Sequence, residues 1–171
     1  MNTVRRERQD GRHTFVPLSL RPHWMQLSIN QLHYIILCMA AVAVYAAFPD
    51  FMFRKLFLLA ALLLFLYLLY QVFYLVRMEY IVTDDQIIFL HGVLNHSTDY
   101  MELYRVIDYQ QHRTLLQQLS GLKTVVIYSG DRNTPVMNII GIKENVDIVG
   151  EIRKRVEYNK NLKHIYEITN R

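Results

Sequence analysis

The stretch 56-LFLLAALLLFLYLLYQVFYLV-76 decides how the rest of the chain must be read. Its 21 residues carry no charge, and a helix rising ~1.5 Å per residue over that length reaches ~31 Å, the thickness of a hydrocarbon core. A helix apolar on every face needs either lipid or a large protein around it. In a chain of 171 residues there is too little material for the second arrangement, so the stretch is expected to cross a membrane.

Working toward the N-terminus, residues 27–48 (LSINQLHYIILCMAAVAVYAAF) form a second apolar run. Its first turns hold Ser28, Asn30, Gln31 and His33, which suits a helix whose near end lies among headgroups. Trp24 and Tyr34 belong at that level, where amphipathic rings are favoured, and Pro49 with Asp50 ends the helix on the far side. The connection PDFMFRK is too short for anything but an antiparallel return. Ala40, Ala43 and Ala47 on the first run, with Ala60 and Ala61 on the second, either permit close helix contact or serve as filler. Largely polar sequence precedes the first run and no small-residue cleavage site is evident, so that run is expected to be retained rather than removed as a signal peptide.

The formal charge of +4 is distributed unevenly. Arg5, Arg6, Arg8, Arg12 and Arg21 outweigh Glu7 and Asp10 before the first run, and Arg54 and Lys55 outweigh Asp50 in the loop; from Arg77 onward acids and bases balance. The excess of basic residues beside the near ends of the helices places both termini in the cytoplasm by the positive-inside rule. A nucleic-acid partner is not expected, because phosphate binding needs a basic surplus in the folded domain. The single cysteine, Cys38, lies inside the apolar run and has no partner for a disulfide or a metal site.

After Arg77 the pattern changes to short alternating segments. MEYIVT (78–83) and QIIFLHGV (86–93) flank Asp84-Asp85 as a hairpin, and residues 95–99 are a third strand. RVIDYQQHR (105–113) alternates as a half-buried strand, with one helical turn at 114–119 before Gly121. KTVVIYS (123–129) and PVMNIIGI (135–142) flank a GDRNT turn. From Glu144 onward Val149, Ile152 and Val156 recur at helical spacing, with acids early and Arg153, Lys154 and Arg155 late, which complements the helix dipole. About six antiparallel strands closed by one amphipathic helix are therefore expected. The division is a basic N-terminal segment at 1–26, a two-helix hairpin at 27–76, a folded domain at 77–160 and a tail at 161–171.

Several features in that order carry a family resemblance. They are Tyr80-x-x-Thr83-Asp84-Asp85, Gly92 ending the second strand, Leu103-x-x-x-Ile107 entering the next long strand, Leu116-x-x-Leu119-x-Gly121-Leu122 before a valine-rich strand, and the closing EIRKRV. Residues 78 to about 158 thus resemble the bacterial pleckstrin-homology-like (PH) domain, which often follows a two-helix membrane hairpin. The resemblance implies a small antiparallel sandwich or barrel capped by a C-terminal helix, in the bacterial inner membrane. It implies a binding module without assigned catalysis, and names no ligand. Six strands are readable where the PH fold has seven.

Chemistry is sparse. His91 and His96 fall on opposite faces at strand spacing, with His112 further on, and no metal site is expected. Asp84-Asp85 reads as turn chemistry rather than a carboxylate dyad. GDRNT lacks the glycine spacing and following helix of a phosphate loop. Gln71 and His33 lie near the helix ends and read as interfacial rather than as part of a conducting path. No catalytic residue or cofactor is expected. The candidate contact residues are Arg113, Lys123 and Arg132, which would meet anionic lipid if they gather at one end of the sandwich, and Tyr100 and Tyr104, which with Tyr109 either pack the core or meet a partner. Membrane lipid and either a protein partner or further copies of the chain are the expected partners. The leading reading is a noncatalytic adaptor; the alternatives are an anionic-lipid sensor and a small subunit of a transport or secretion assembly.

Overall fold

A computed structural model describes residues 15–163. The expectations attached to Arg5, Arg6, Arg8 and Arg12, and to the tail from residue 164, lie outside the described residues. In chain order the elements are β1 (Leu18–Leu20), α1 (Met25–Ala47), α2 (Arg54–Arg77), β2 (Glu79–Val82), β3 (Gln86–His91), β4 (Ser97–Glu102), β5 (Val106–His112), α3 (Leu115–Leu119), β6 (Leu122–Ser129), β7 (Val136–Lys143) and α4 (Ile148–Leu162). A 3-10 turn, Leu103–Arg105, joins β4 to β5.

The two long helices have 23 and 24 residues and lie antiparallel. Only 6 % of the most apolar window of each is buried. That figure separates them from the core helix of a water-soluble protein, which would be mostly covered by its own chain. The residues they bury against each other recur at alternating steps of three and four: Tyr34, Cys38 and Ala41 on α1, Phe57, Ala61, Leu64 and Leu68 on α2. This is the spacing of a left-handed helix pair. Tyr34 packs edge-on against Tyr67 with centroids 4.9 Å apart, and Cys38 Sγ lies 3.6 Å from the Ala61 carbonyl. Of the small residues expected at the contact only Ala61 is buried, as is Ala41; Ala40, Ala43, Ala47 and Ala60 are exposed.

Beyond the hairpin, β1, β2, β3 and β4 form one antiparallel sheet in that order, and β5, β6 and β7 form a second. Among the described residues there are therefore seven strands, not six. The additional strand is β1, which pairs with β2 in the register Leu18↔Val82, Ser19↔Ile81 and Leu20↔Tyr80. It comes from the segment before the hairpin, so the domain draws on sequence on both sides of the two helices. Its three residues stand between Pro17 and Pro22, at strand boundaries where a missing N–H costs no ladder bond.

Tyr80, Ile87, Met101, Leu103, Val125, Ile127 and Ile139 form the core between the sheets and are fully buried. Helix α4 closes the open end with Ile148, Ile152, Arg155, Val156 and Asn159, one face at helical spacing. Its N-cap is Asp147, whose carboxylate accepts the Gly150 N–H at 3.1 Å. Glu144, expected in the first helical turn, lies before it. Two polar residues sit in the buried stripe because each finds partners. Arg155 Nη1 donates to the Glu151 carbonyl and carboxylate, both at 2.9 Å, and Nη2 to the Val16 carbonyl at 2.9 Å. Asn159 Nδ2 donates to the carbonyls of Asp84 and Arg155. The closing helix thus pins both the chain entering β1 and the turn between β2 and β3.

Ile152 is fully buried beneath the sheets, and truncating such a side chain removes transfer energy and leaves a cavity. Ile152→Ala is expected to lower domain stability by about 2–5 kcal/mol, measured by chemical denaturation of the full chain in mild detergent. A loss within ±0.5 kcal/mol, the range of a surface change, would show that α4 is not packed as described.

Candidate functional site

The two feet of the hairpin, where α1 and α2 meet the sheets, are where the domain is attached and where its recesses lie. At the first foot the chain leaves β1, turns at Pro22, and the His23 N–H donates to the Gly141 carbonyl at 2.9 Å. Gly141 sits at φ +65°, and a Cβ there would lie 2.9 Å from Gln26 Cβ. Pairing of β6 with β7 shifts register at this point, so a bulge and a glycine together let α1 approach the sheet. Gln26, buried on the first turn of α1, then enters a polar network. Gln117 Nε2 donates to Gln26 Oε1 at 3.0 Å and to Thr124 Oγ1 at 2.9 Å, and Gln26 Nε2 donates to Asn30 Oδ1 at 2.8 Å. Gln117 is fixed by a reciprocal cap with Thr114 at the start of α3, in which each side chain bonds the other's backbone N–H. An open recess of about 280 Å³ lies among these residues.

At the second foot Met78 is buried, and Tyr80 beneath it donates its hydroxyl to the Asn138 carbonyl at 2.8 Å. Burial, the largest influence, raises the Tyr80 phenol well above its usual range and keeps it neutral. Tyr80, Phe89 and His91 stack in series, with centroids 4.5 and 4.6 Å apart. His91 Nε2 lies 3.2 Å from Asp99 Oδ2, and its Nδ1 is 3.4 Å from the Tyr74 hydroxyl. This Asp99–His91–Tyr74 chain links α2 to β3 and β4. The Tyr74 contact is at the outer limit of a hydrogen bond, the geometry of a brace rather than of an activated hydroxyl. A second recess, about 300 Å³ and lined by Tyr74, Met78, Tyr80, Phe89 and Met137 among others, opens beside it. Among the described residues no group of three or more His, Cys, Asp and Glu could hold a metal ion.

The basic residues singled out from the sequence do not gather. Arg113 and Lys123 share one end of the β5–β6 pair and are both turned to Glu144: Arg113 pairs with its carboxylate, and the buried Lys123 donates to its carbonyl at 3.1 Å. Arg132 lies in the turn between β6 and β7 at the opposite end of those strands. Tyr100, on β4, is 54 % exposed. Tyr104 carries Lys163 Nζ 3.5 Å above its ring and bonds Arg105 through its hydroxyl. Of the three tyrosines weighed together only Tyr109 packs against the core, and burial raises its phenol to about 12. Asp84 and Asp85 lie in the β2–β3 turn; Asp84 accepts the Phe15 N–H at 2.8 Å and Asp85 the Thr83 hydroxyl at 3.0 Å.

Sequence reasoning passed over Gln26, Gln117, Thr124 and Gly141. One signal was present: Thr114-x-x-Gln117 has the spacing of a capping box. Nothing local indicated that Gln117 would reach back to Gln26.

The family described as bacterial PH domain matches the chain over residues 32–156. No curated protein and no solved structure matches it.

Two outcomes are expected from these feet. Gln117→Leu leaves Gln26 Oε1 and Thr124 with lost partners in a buried site, and should lower stability by about 1–3 kcal/mol, read by denaturant titration; an unchanged midpoint would remove the network from the account. Glu79 joins β2 to β1 by accepting from the Ser19 hydroxyl at 2.6 Å and from Arg21 at 3.1 Å. The Ser19 bond first, then Arg21, lowers its pKa below the ordinary 4.5. The stabilisation is therefore present above the unfolded value and is lost as pH falls through the lower folded one. A thermal-midpoint series from about pH 6 to about pH 3 should show a steeper acid fall for the native chain than for Glu79→Gln. Parallel curves would contradict the assignment.

Proposed function

The chain belongs to the bacterial PH domain family, and on that premise we propose that it is a noncatalytic membrane-anchored adaptor whose hairpin crosses the bilayer twice and holds the PH domain at the cytoplasmic face of the inner membrane. There the domain binds a protein partner or further copies of itself. One observation carries the reading: the strand before the hairpin pairs with the strand after it, so both feet return to one side and the domain is clamped across them. The outward surface of the helices, with Leu58, Leu62, Phe65, Leu66 and Phe73 all exposed, supports lipid as their surroundings. Burying such side chains is favourable by about 1.5–3 kcal/mol each, so these five together are comparable to the whole net stability of a domain, about 5–15 kcal/mol.

The adaptor reading is supported further by how the polar groups at the feet are occupied. They bond each other and the backbone, and so fix the domain's attitude. The anionic-lipid reading rested on Arg113, Lys123 and Arg132 acting together, and their positions at opposite ends of the strands do not favour it. Exposed Tyr100 on β4, at the rim of the first sheet, remains the better partner contact.

The test uses the whole chain in its membrane. The protein should resist alkaline carbonate extraction, and a photocrosslinker at position 100 should give one discrete adduct with a protein or with a second copy. Adducts with anionic lipid alone would transfer the role to lipid sensing. A full-length chain that stays in water without detergent would end the membrane reading altogether.

A further inference from the structure

Helix α3 is amphipathic in the reverse sense. Of its two glutamines Gln118 is exposed, but Gln117 is 2 % exposed and bonds to α1 and β6, whereas Leu115 and Leu119 are 78 % and 86 % exposed. At 100° per residue Leu115 and Leu119 share one side of the helix and Gln117 occupies the other. A surface helix in water has the opposite arrangement. The capping box and the bonds from Gln117 to Gln26 and Thr124 hold it this way.

A third exposed leucine stands beside the other foot. The turn between β3 and β4 carries Leu94, 93 % exposed, where Gly, Asn or Asp would be ordinary. The turn is tight: Gly92 has φ +106°, and a Cβ there would meet the Asn95 carbonyl oxygen at 1.9 Å. Arg77, the last residue of α2, lines a hollow with His91, Gly92 and His96 of this turn.

Depth follows from helix length. A hydrocarbon core of ~30 Å corresponds to ~20 helical residues. Measured back from the far end of α1, that distance reaches the neighbourhood of Ile29, which leaves Gln26, and α3 bonded to it, at headgroup level. Measured along α2 from Leu56, it reaches the neighbourhood of Leu75, which puts Arg77 and the β3–β4 turn at the same level. Trp24, 69 % exposed at the start of α1, lies where aromatic rings prefer to be.

We propose that the PH domain rests on the bilayer its own hairpin crosses, with Leu115 and Leu119 on one side of the hairpin and Leu94 on the other seated among lipid headgroups and upper acyl chains. The occupant of these apolar points is lipid, because they continue the apolar surface of the helices at the depth where it ends. This inference rests on the membrane-spanning reading and adds a fixed orientation: the domain lies against the surface instead of standing clear of it.

The experiment uses the full chain with Cys38→Ala, reconstituted in vesicles of zwitterionic and anionic phosphatidyl lipids. Single cysteines at Leu94→Cys, Leu115→Cys and Leu119→Cys carry an environment-sensitive fluorophore, read against lipids spin-labelled at the headgroup or along the acyl chain. Phe65→Cys, in the middle of α2, reports the span, and Val16→Cys, beside α4 at the other end of the domain, reports water. Labels at 94, 115 and 119 should be blue-shifted and lose emission to headgroup and shallow-chain quenchers, with Phe65 quenched by deep-chain labels and Val16 by none. If the three behave like Val16 while Phe65 is quenched, the seated domain is wrong and the span stands. Should Phe65 itself escape deep-chain quenching, the span fails and the seated domain fails with it. Labels shielded from water yet untouched by spin-labelled lipid would mean that a protein or second copy covers these leucines, which overturns the proposal.

Discussion

The pairing of Leu18–Leu20 with Glu79–Val82 is the constraint on which the rest depends. Backbone N–H and C=O groups in a buried sheet must be paired, and β2 obtains its outer partner only from the chain that precedes the hairpin. The two long helices therefore lie in the connection between β1 and β2. Both of their near ends are tied to the same two-sheet domain, through the His23–Gly141 bond and the Tyr74–His91 contact.

Around that ladder the polar groups divide into two sets. At the end away from the hairpin, Arg155 and Asn159 of α4 reach the Val16 and Asp84 carbonyls, so the closing helix secures both neighbours of β1. At the hairpin end, Gln26, Gln117 and Thr124 bind α1 to α3 and β6, and the Asp99–His91–Tyr74 chain braces α2 against the first sheet. These are buried or half-buried polar networks in which nearly every donor has a partner. They specify one geometry more than they add to net stability. The apolar core supplies the driving force for folding.

The hairpin, the six strands after it and the closing helix were legible because each is written locally: an uncharged run long enough to span, alternation between turn residues, and a helical period with acids first and bases last. Strand β1 was not, since three residues between two prolines in an arginine-rich segment leave no period to read, and only the open edge of β2 makes them a strand. The helix contact was misassigned for a related reason. Ala40, Ala43 and Ala47 have the small size that close packing wants, but size does not reveal which face turns inward, and the seam runs through Tyr34, Cys38 and Ala41. The basic residues stand apart because β6 separates Lys123 from Arg132 along the length of a strand, a distance that proximity in sequence conceals.

The placing of the helices between β1 and β2 also orders events during synthesis. Residues 18–20 leave the ribosome roughly sixty positions ahead of the strand they join, which at typical translation rates is on the order of several seconds. In that interval both long helices are made while the short leading strand waits without its partner. The first sheet can therefore be completed only after both long helices have been synthesised.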